Sequence, residues 1–341
     1  MTEPILQVRN LQTSFKTDRG VVTAVDGVSF DLFPGETLGV VGESGCGKTV
    51  TNKSIIRLLP EHVTRYGDDS QILFKNQNLL TLTERQMRDI RGNEIGMIFQ
   101  EPMTALNPVF TIGWQIDEAL KYHTKLNRSE RREKAIEMLR LVEMPNPGKR
   151  IDEYPHQLSG GMRQRVVIAI ALCCNPEVLI ADEPTTALDV TIQSQILRLM
   201  DKLKQETGTA IILITHDLGV VAQACDRVIV MYAGRIVEIA PVRDLFHNPR
   251  HPYTRALLDS MPKPGITGHQ QRLPAIEGTV PSLFNLPSGC RFHDRCQRAK
   301  PDCKEKSPQL VSLAAGDQAT AADQPAHHGV RCFYPLEGAT S

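Results

Sequence analysis

Residues 36–59, ETLGVVGESGCGKTVTNKSIIRLL, read as an apolar strand, a glycine-rich turn and a helix. Gly42 to Thr49 fits G-x-x-x-x-G-K-[ST] with every fixed position filled. Glycines let such a turn fold tightly enough for successive N–H groups to point inward at phosphate oxygens. Along Gly42, Glu43, Ser44, Gly45, Cys46, Gly47, Lys48, Thr49 and Val50, the backbone is the chief ligand. Lys48 adds a cation that reaches the β- and γ-phosphates, Thr49 offers a hydroxyl to magnesium, and the following helix presents its positive end. A strand, phosphate turn and helix in this order predict an α/β core.

A buried parallel strand should carry a carboxylate for the metal, and EVLIADEP supplies one, ending in Asp182 and Glu183. Asp182 is placed to hold Mg2+ through water. Glu183 is a candidate base for the water that attacks the γ-phosphate. The plainer alternative is that DEPTTALD caps the next helix. Two further strands repeat the pattern: AIILITH ends in His216 and RVIVMYAG ends in a turn glycine. His216 and Gln100, which ends EIGMIFQ, lie where ligands of open α/β sheets bind. A structural histidine is the alternative for His216, and Gln100 suits either magnesium or the γ-phosphate.

A second anion-binding pattern, LSGGMRQR, begins at Leu158. Ser159 is an expected N-cap, Gly160 and Gly161 permit close backbone approach, and a buried helix follows. The preceding KRIDEYPHQ carries charges and a proline, so this is no second copy of the first loop. One nucleotide needs one cradle. The economical reading is that this turn grips a nucleotide held by another subunit; the alternative is an ordinary capped helix.

Composition narrows the class. The 341 residues include 39 Lys plus Arg against 39 Asp plus Glu, which argues against a nucleic-acid binder. The opening MTEPILQVRN has neither the basic nor the apolar region of a secretory signal. Apolar runs such as VVIAIALCC fall short of the roughly 20 residues a spanning helix needs. Any membrane role is therefore expected to come through a partner. Near the first loop, Cys46 beside Lys48 and a helix N-terminus is expected to have a lowered thiol pKa.

GESGCGKT, Gln100, LSGGMRQR, VLIADEP, TALD and His216 occur in the order and spacing of ATP-binding cassette (ABC) ATPases, which the chain resembles over roughly residues 5–245. The resemblance implies a phosphate-loop (RecA-like) ATPase core with an antiparallel β portion and an inserted helical subdomain at about 101–160. That subdomain is where the family receives the coupling helices of membrane subunits. It also implies a head-to-tail dimer, with each ATP between one chain's Lys48 loop and its partner's Ser159 turn. Phe15 falls where the family stacks an aromatic on adenine, usually Tyr, and Asp189 falls in the loop that communicates across the dimer. Cys46 replaces a commoner Ser. Within the subdomain, NRSERREKAIEMLRLVEM reads as a capped amphipathic helix with Ile136, Leu139 and Val142 on one face.

After residue 245 the character changes, so the expected division is 1–245 for the cassette and 246–341 for a C-terminal extension. HNPRHPYTRALLDSMP, together with EPMTALNP after Gln100, resembles the oligopeptide and dipeptide importer branch. That implies ATP hydrolysis driving peptide import, at the cytoplasmic face of the inner membrane. The implied partners are two permease subunits, a second ATPase subunit (identical or paralogous) and an extracytoplasmic peptide-binding protein. Import of nickel or another solute by the same branch is one alternative, and a soluble non-transport ATPase is another.

Cys290, Cys296 and Cys303 are spaced C-x5-C-x6-C, with Cys332 further on. Four thiolates suit zinc or an iron–sulfur cluster, but zinc sites usually show tighter pairs. Some members of this branch carry a [4Fe–4S] cluster at a similar group, which implies one here; Zn2+ and four plain thiols are the alternatives. Residues 313–329 read as a flexible insertion in which His327 and His328 are not expected to be ligands.

Overall fold

A computed structural model describes residues 3–100, 105–185, 190–261, 275–313, 319–321 and 328–337. All of TALD, including Asp189, lies outside the described residues, as does His327. The chain divides into two compact units, Met1–Ile5 with Leu32–Thr37 and Asn78–Ile214, and Leu6–Asp31 with Leu38–Gln77 and Thr215–Ser341.

The first unit is built on parallel strands and helices. Strands Ile95–Ile98, Val178–Asp182 and Ala210–Ile214 pair side by side in parallel. Every residue of the latter two is buried, which is why they read as unbroken apolar runs. Four helices of at least three turns accompany them, Ile112–His123, Arg128–Leu141, Gly160–Leu172 and Val190–Thr207. Arg128–Leu141 is entered through a capping box, Asn127 accepting from the Ser129 and Glu130 amides while Glu130 accepts from the Asn127 amide. Its buried stripe is Ala135, Met138, Leu139 and Val142. The expected face of Ile136, Leu139 and Val142 is thus only partly right. Ile136 is half-buried, because the contact follows the i, i+3, i+4, i+7 row.

The second unit opens with an antiparallel sheet in the order Gly20–Leu32, Leu6–Thr17, Gln71–Phe74 and Gln77–Asn78, with Thr64–Tyr66 also on Leu6–Thr17. In Leu6–Thr17, Leu6 and Val8 point inward, the alternation breaks at Asn10 (φ 46°), and Leu11 and Thr13 resume it. Thr37–Val41 runs parallel to Arg227–Tyr232, which turns back into Arg235–Pro241. The core here joins Val41, Val228, Val230, Tyr232, Tyr253 and Phe292.

The expectation of a flexible insertion over 313–329 is corrected at both of its ends. Val311–Leu313 and His328–Val330 are strands, and the latter pairs with Glu238 and Ile239. Gly329 permits this approach, since a Cβ there would stand 2.9 Å from Ile239 Cγ2. Three-residue strands carry too little alternation to be legible in sequence.

Candidate nucleotide-binding site

In the second unit the expected strand–turn–helix is present, with strand Thr37–Val41 buried throughout and helix Lys48–Ile55 following the turn. Gly42 takes φ 148° and Gly47 φ 102°. A Cβ on Gly42 would sit 2.2 Å from the Met231 carbonyl oxygen, and one on Gly47 2.7 Å from that of Ala24. Only glycine fits either position. Lys48, 7% exposed, donates to the carbonyls of Gly42 (2.7 Å) and Glu43 (3.0 Å), so its ammonium is held over the mouth of the turn. Ser44 and Gly45 are exposed, and Thr49 and Val50 are half-buried in the first helical turn.

Cys46 corrects the expectation of an activated thiol. Its side chain is fully buried, and burial raises its pKa above the ordinary thiol value, outweighing the lowering by Lys48. The helix end and the lysine were legible in the sequence, but the burial was not. Phe15 is half-buried on Leu6–Thr17, opposite Thr64. His216 is exposed just beyond strand Ala210–Ile214.

The first unit brings Gln100 and Glu183 together, the Gln100 amide donating to the Glu183 carboxylate at 2.9 Å. Glu183 holds φ 50°, a left-handed conformation that costs energy for a non-glycine residue, and its N–H donates to the Ile214 carbonyl at 3.0 Å. Asp182, one residue earlier, is 2% exposed at the end of its strand. Carboxylate and hydroxyl oxygens are the donors a hard divalent cation takes, so Asp182 in this unit, and separately Thr49 in the other, each carry a donor of the right chemistry.

Ser159 caps helix Gly160–Leu172 as expected, accepting from the Met162 N–H at 3.4 Å. The two glycines differ. A Cβ on Gly161 would lie 2.5 Å from Ile192 Cδ1, so Gly161 serves packing within the chain, whereas Gly160 faces open space. The same helix buries Gln164, which donates to the Pro184 carbonyl at 2.6 Å and ties the turn to the Asp182–Glu183 segment. That tie was not read from the sequence, where Gln164 stands between Arg163 and Arg165 and gives no sign of burial.

In the C-terminal extension Cys290, Cys296, Cys303 and Cys332 line one small pocket with His251, Phe292 and others. Among the described residues no group of three His, Cys, Asp or Glu side chains is arranged to hold a metal ion, so no ready-made zinc site is present. The donor set is nonetheless the soft one that iron–sulfur clusters take. Burial raises the thiol pKa of Cys290 and Cys296 and pushes that of Cys332 up to about 12. These thiols stay protonated unless a cation compensates the thiolate charge. No described helix is long and apolar enough to cross a membrane.

The chain as a whole is similar to known proteins. The family model described as ABC transporter matches residues 25–186, and the oligopeptide/dipeptide transporter C-terminal region matches 237–303. The chain is 57% identical to a probable peptide ABC transporter ATP-binding protein of Sinorhizobium fredii, over 92% of this chain and 93% of that one. It is 54% identical to the dipeptide transport ATP-binding protein DppD of Bacillus subtilis, over 96% and 98%. Among solved structures, the ATP-binding cassette MJ0796, a dimer in a post-hydrolysis state bound to ADP and Pi, matches with TM-score 0.63 and 28% identity, covering 70% of this chain and 99% of that one. With its phosphate turn, its buried Asp182 and the Glu183–Gln100 pair, the chain belongs to the ABC transporter family, as an ATPase of the branch that carries the oligopeptide/dipeptide transporter C-terminal region.

Proposed function

We propose that the chain is the ATP-hydrolysing subunit of a peptide importer, a cassette over residues 1–245 extended by 246–341. The observation that carries this reading is one chain joining a complete phosphate turn to the oligopeptide/dipeptide transporter C-terminal region. Relatives named for peptide and dipeptide transport support it along nearly their whole length.

In this reading the amides from Gly42 to Val50 and the Lys48 ammonium bind the triphosphate of ATP, and Phe15 stacks on adenine. Thr49, Asp182 and Gln100 hold Mg2+, whose charge offsets the negative charge of the β- and γ-phosphates. Glu183 accepts the proton of the attacking water, and Gln100, bonded to that carboxylate, keeps it oriented. His216 completes the γ-phosphate contacts. Ser159, Gly160 and Gly161 reach the nucleotide of a second ATPase subunit, and Asp189 communicates between the two. The open space at Gly160 supports this, because that backbone is free to approach a phosphate.

Closure of the ATPase pair on ATP, and reopening after hydrolysis, would move two permease subunits to which the chain is docked peripherally on the cytoplasmic side. A peptide-binding protein outside delivers the cargo. A [4Fe–4S] cluster at the cysteine group is part of this proposal; four thiols lining one pocket support it, although among the described residues they are not arranged as a ready-made metal site.

Uptake of labelled di- and oligopeptides in cells deleted for this chain tests the function, with nickel uptake measured in parallel. Loss of peptide uptake, restored by the wild-type chain, is expected. Intact peptide uptake with lost nickel uptake would transfer the assignment to the metal-importing relatives.

A further inference from the structure

Glu43 is a puzzling residue for a phosphate turn. The backbone binds the anion, so a side chain here has no necessary part, and a bare carboxylate beside a triphosphate is repulsive. Its surroundings resolve the difficulty. The guanidinium of Arg295 clasps the carboxylate with two parallel bonds, Nη1 to Oε2 at 2.7 Å and Nη2 to Oε1 at 3.0 Å. Arg295 is 5% exposed and Glu43 29%.

The arginine is itself firmly seated. Nε donates to the Glu277 carbonyl at 2.8 Å, Nη2 to that of Ile276 at 3.2 Å, and Nη1 to the Tyr232 hydroxyl at 3.3 Å. All three guanidinium nitrogens are engaged, which makes the fork a rigid holder rather than a mobile counter-charge. The Glu43 backbone is held as well. Its N–H donates to the hydroxyl of buried Tyr253 at 2.9 Å, and its carbonyl accepts from Lys48 at 3.0 Å. Tyr253 packs edge-on against Tyr232, with ring centroids 4.7 Å apart, and against Phe292 at 5.3 Å. Glu43 is thus gripped through N–H, C=O and carboxylate, and two of the three grips come from residues far along the chain in the C-terminal extension.

We infer that Arg295 and Tyr253 are positioning residues for nucleotide binding: by holding Glu43 they neutralise its charge and fix the phosphate turn in the conformation that receives the triphosphate. The extension is then a working part of the ATP site. Arg295 stands on the turn His293–Arg295 immediately before Cys296, so the cysteine-bearing segment and the phosphate turn share one mechanical anchor. This inference rests on nucleotide binding at the Lys48 loop and not on peptide import.

The test is equilibrium binding of a fluorescent ATP analogue to the full-length chain, with thermal melting of each variant. Arg295→Met should weaken binding about tenfold or more, since one charge-assisted bidentate contact is lost and a carboxylate is left bare. Adding Glu43→Gln to Arg295→Met should recover most of that loss, because it removes the bare charge while restoring no packing. Tyr253→Phe, which keeps the ring, should weaken binding by about threefold to tenfold. Where Arg295→Met does not fold, Arg295→Lys keeps the charge and stem and should show an intermediate loss. Wild-type binding in the same assay reads the phosphate loop itself, so failure there is distinguishable from failure of the anchor. Folded variants binding within twofold of wild type, or a double variant no better than Arg295→Met, would overturn the proposal.

Discussion

At the scale of single residues, surroundings decide chemistry that residue type leaves open. His251 caps helix Pro252–Asp259, its Nδ1 accepting the Tyr253 N–H at 3.0 Å, and is 1% exposed. Burial is the main cause that pushes its pKa down to about 4, against a partial raising by Glu238. The folded protein therefore holds this imidazole neutral while the unfolded chain protonates it near the ordinary value of 6.5. Its stabilising contribution is complete above about pH 6.5 and is lost as pH falls from there toward 4. The upper bound is roughly 3 kcal/mol. His251→Asn keeps a capping acceptor and should flatten the fall in melting temperature between pH 7.5 and 5. An unchanged slope would remove His251 as the cause. Cys46 teaches the same lesson with the opposite expectation: a lysine and a helix end promise an activated thiol, and burial cancels the promise.

At the scale of elements, two adjacent glycines of one helix N-terminus meet different surroundings. Gly161→Ala presses on Ile192 and should lower the melting temperature, by an amount corresponding to about 1–3 kcal/mol. Gly160→Ala meets nothing within the chain and should melt like wild type. Its ATPase activity should nevertheless fall at least tenfold, if this backbone closes on a partner's nucleotide. Wild-type activity in folded Gly160→Ala would restore the ordinary capped-helix reading. The sequence pattern SGG announces a helix start and a close approach, but it does not assign the approach to either glycine. The contact with Ile192 does.

At the scale of the whole molecule, the proposed pairing of cassettes makes assembly depend on fuel. Glu183→Gln keeps the shape of the side chain and its place beside Gln100 but removes the proposed base. Hydrolysis should fall by about 10²–10⁴-fold while ATP binding persists. Light scattering should then find a stable dimer with ATP and monomer with ADP, in a heteromeric pairing if a paralogous subunit is required. Full turnover by this variant would dismiss Glu183 as the base. Anaerobically purified protein should contain iron and absorb visible light, and Cys296→Ser should abolish both. Metal-free wild-type protein of undiminished melting temperature would leave the four cysteines as plain thiols.

The sequence by itself determined the phosphate turn, the buried strands and the helix caps, because each depends on residues within a few positions of one another. Glycines at fixed spacing, an apolar run closed by Asp182 and Glu183, and Asn127 three residues before Glu130 are local statements. Tertiary structure alone decided what lies far apart in the chain: Arg295 on Glu43, Gln164 on Pro184, the short strand His328–Val330, and the burial that silences Cys46. Desolvation and long-range pairing arise only when distant segments pack together, and no local pattern encodes them.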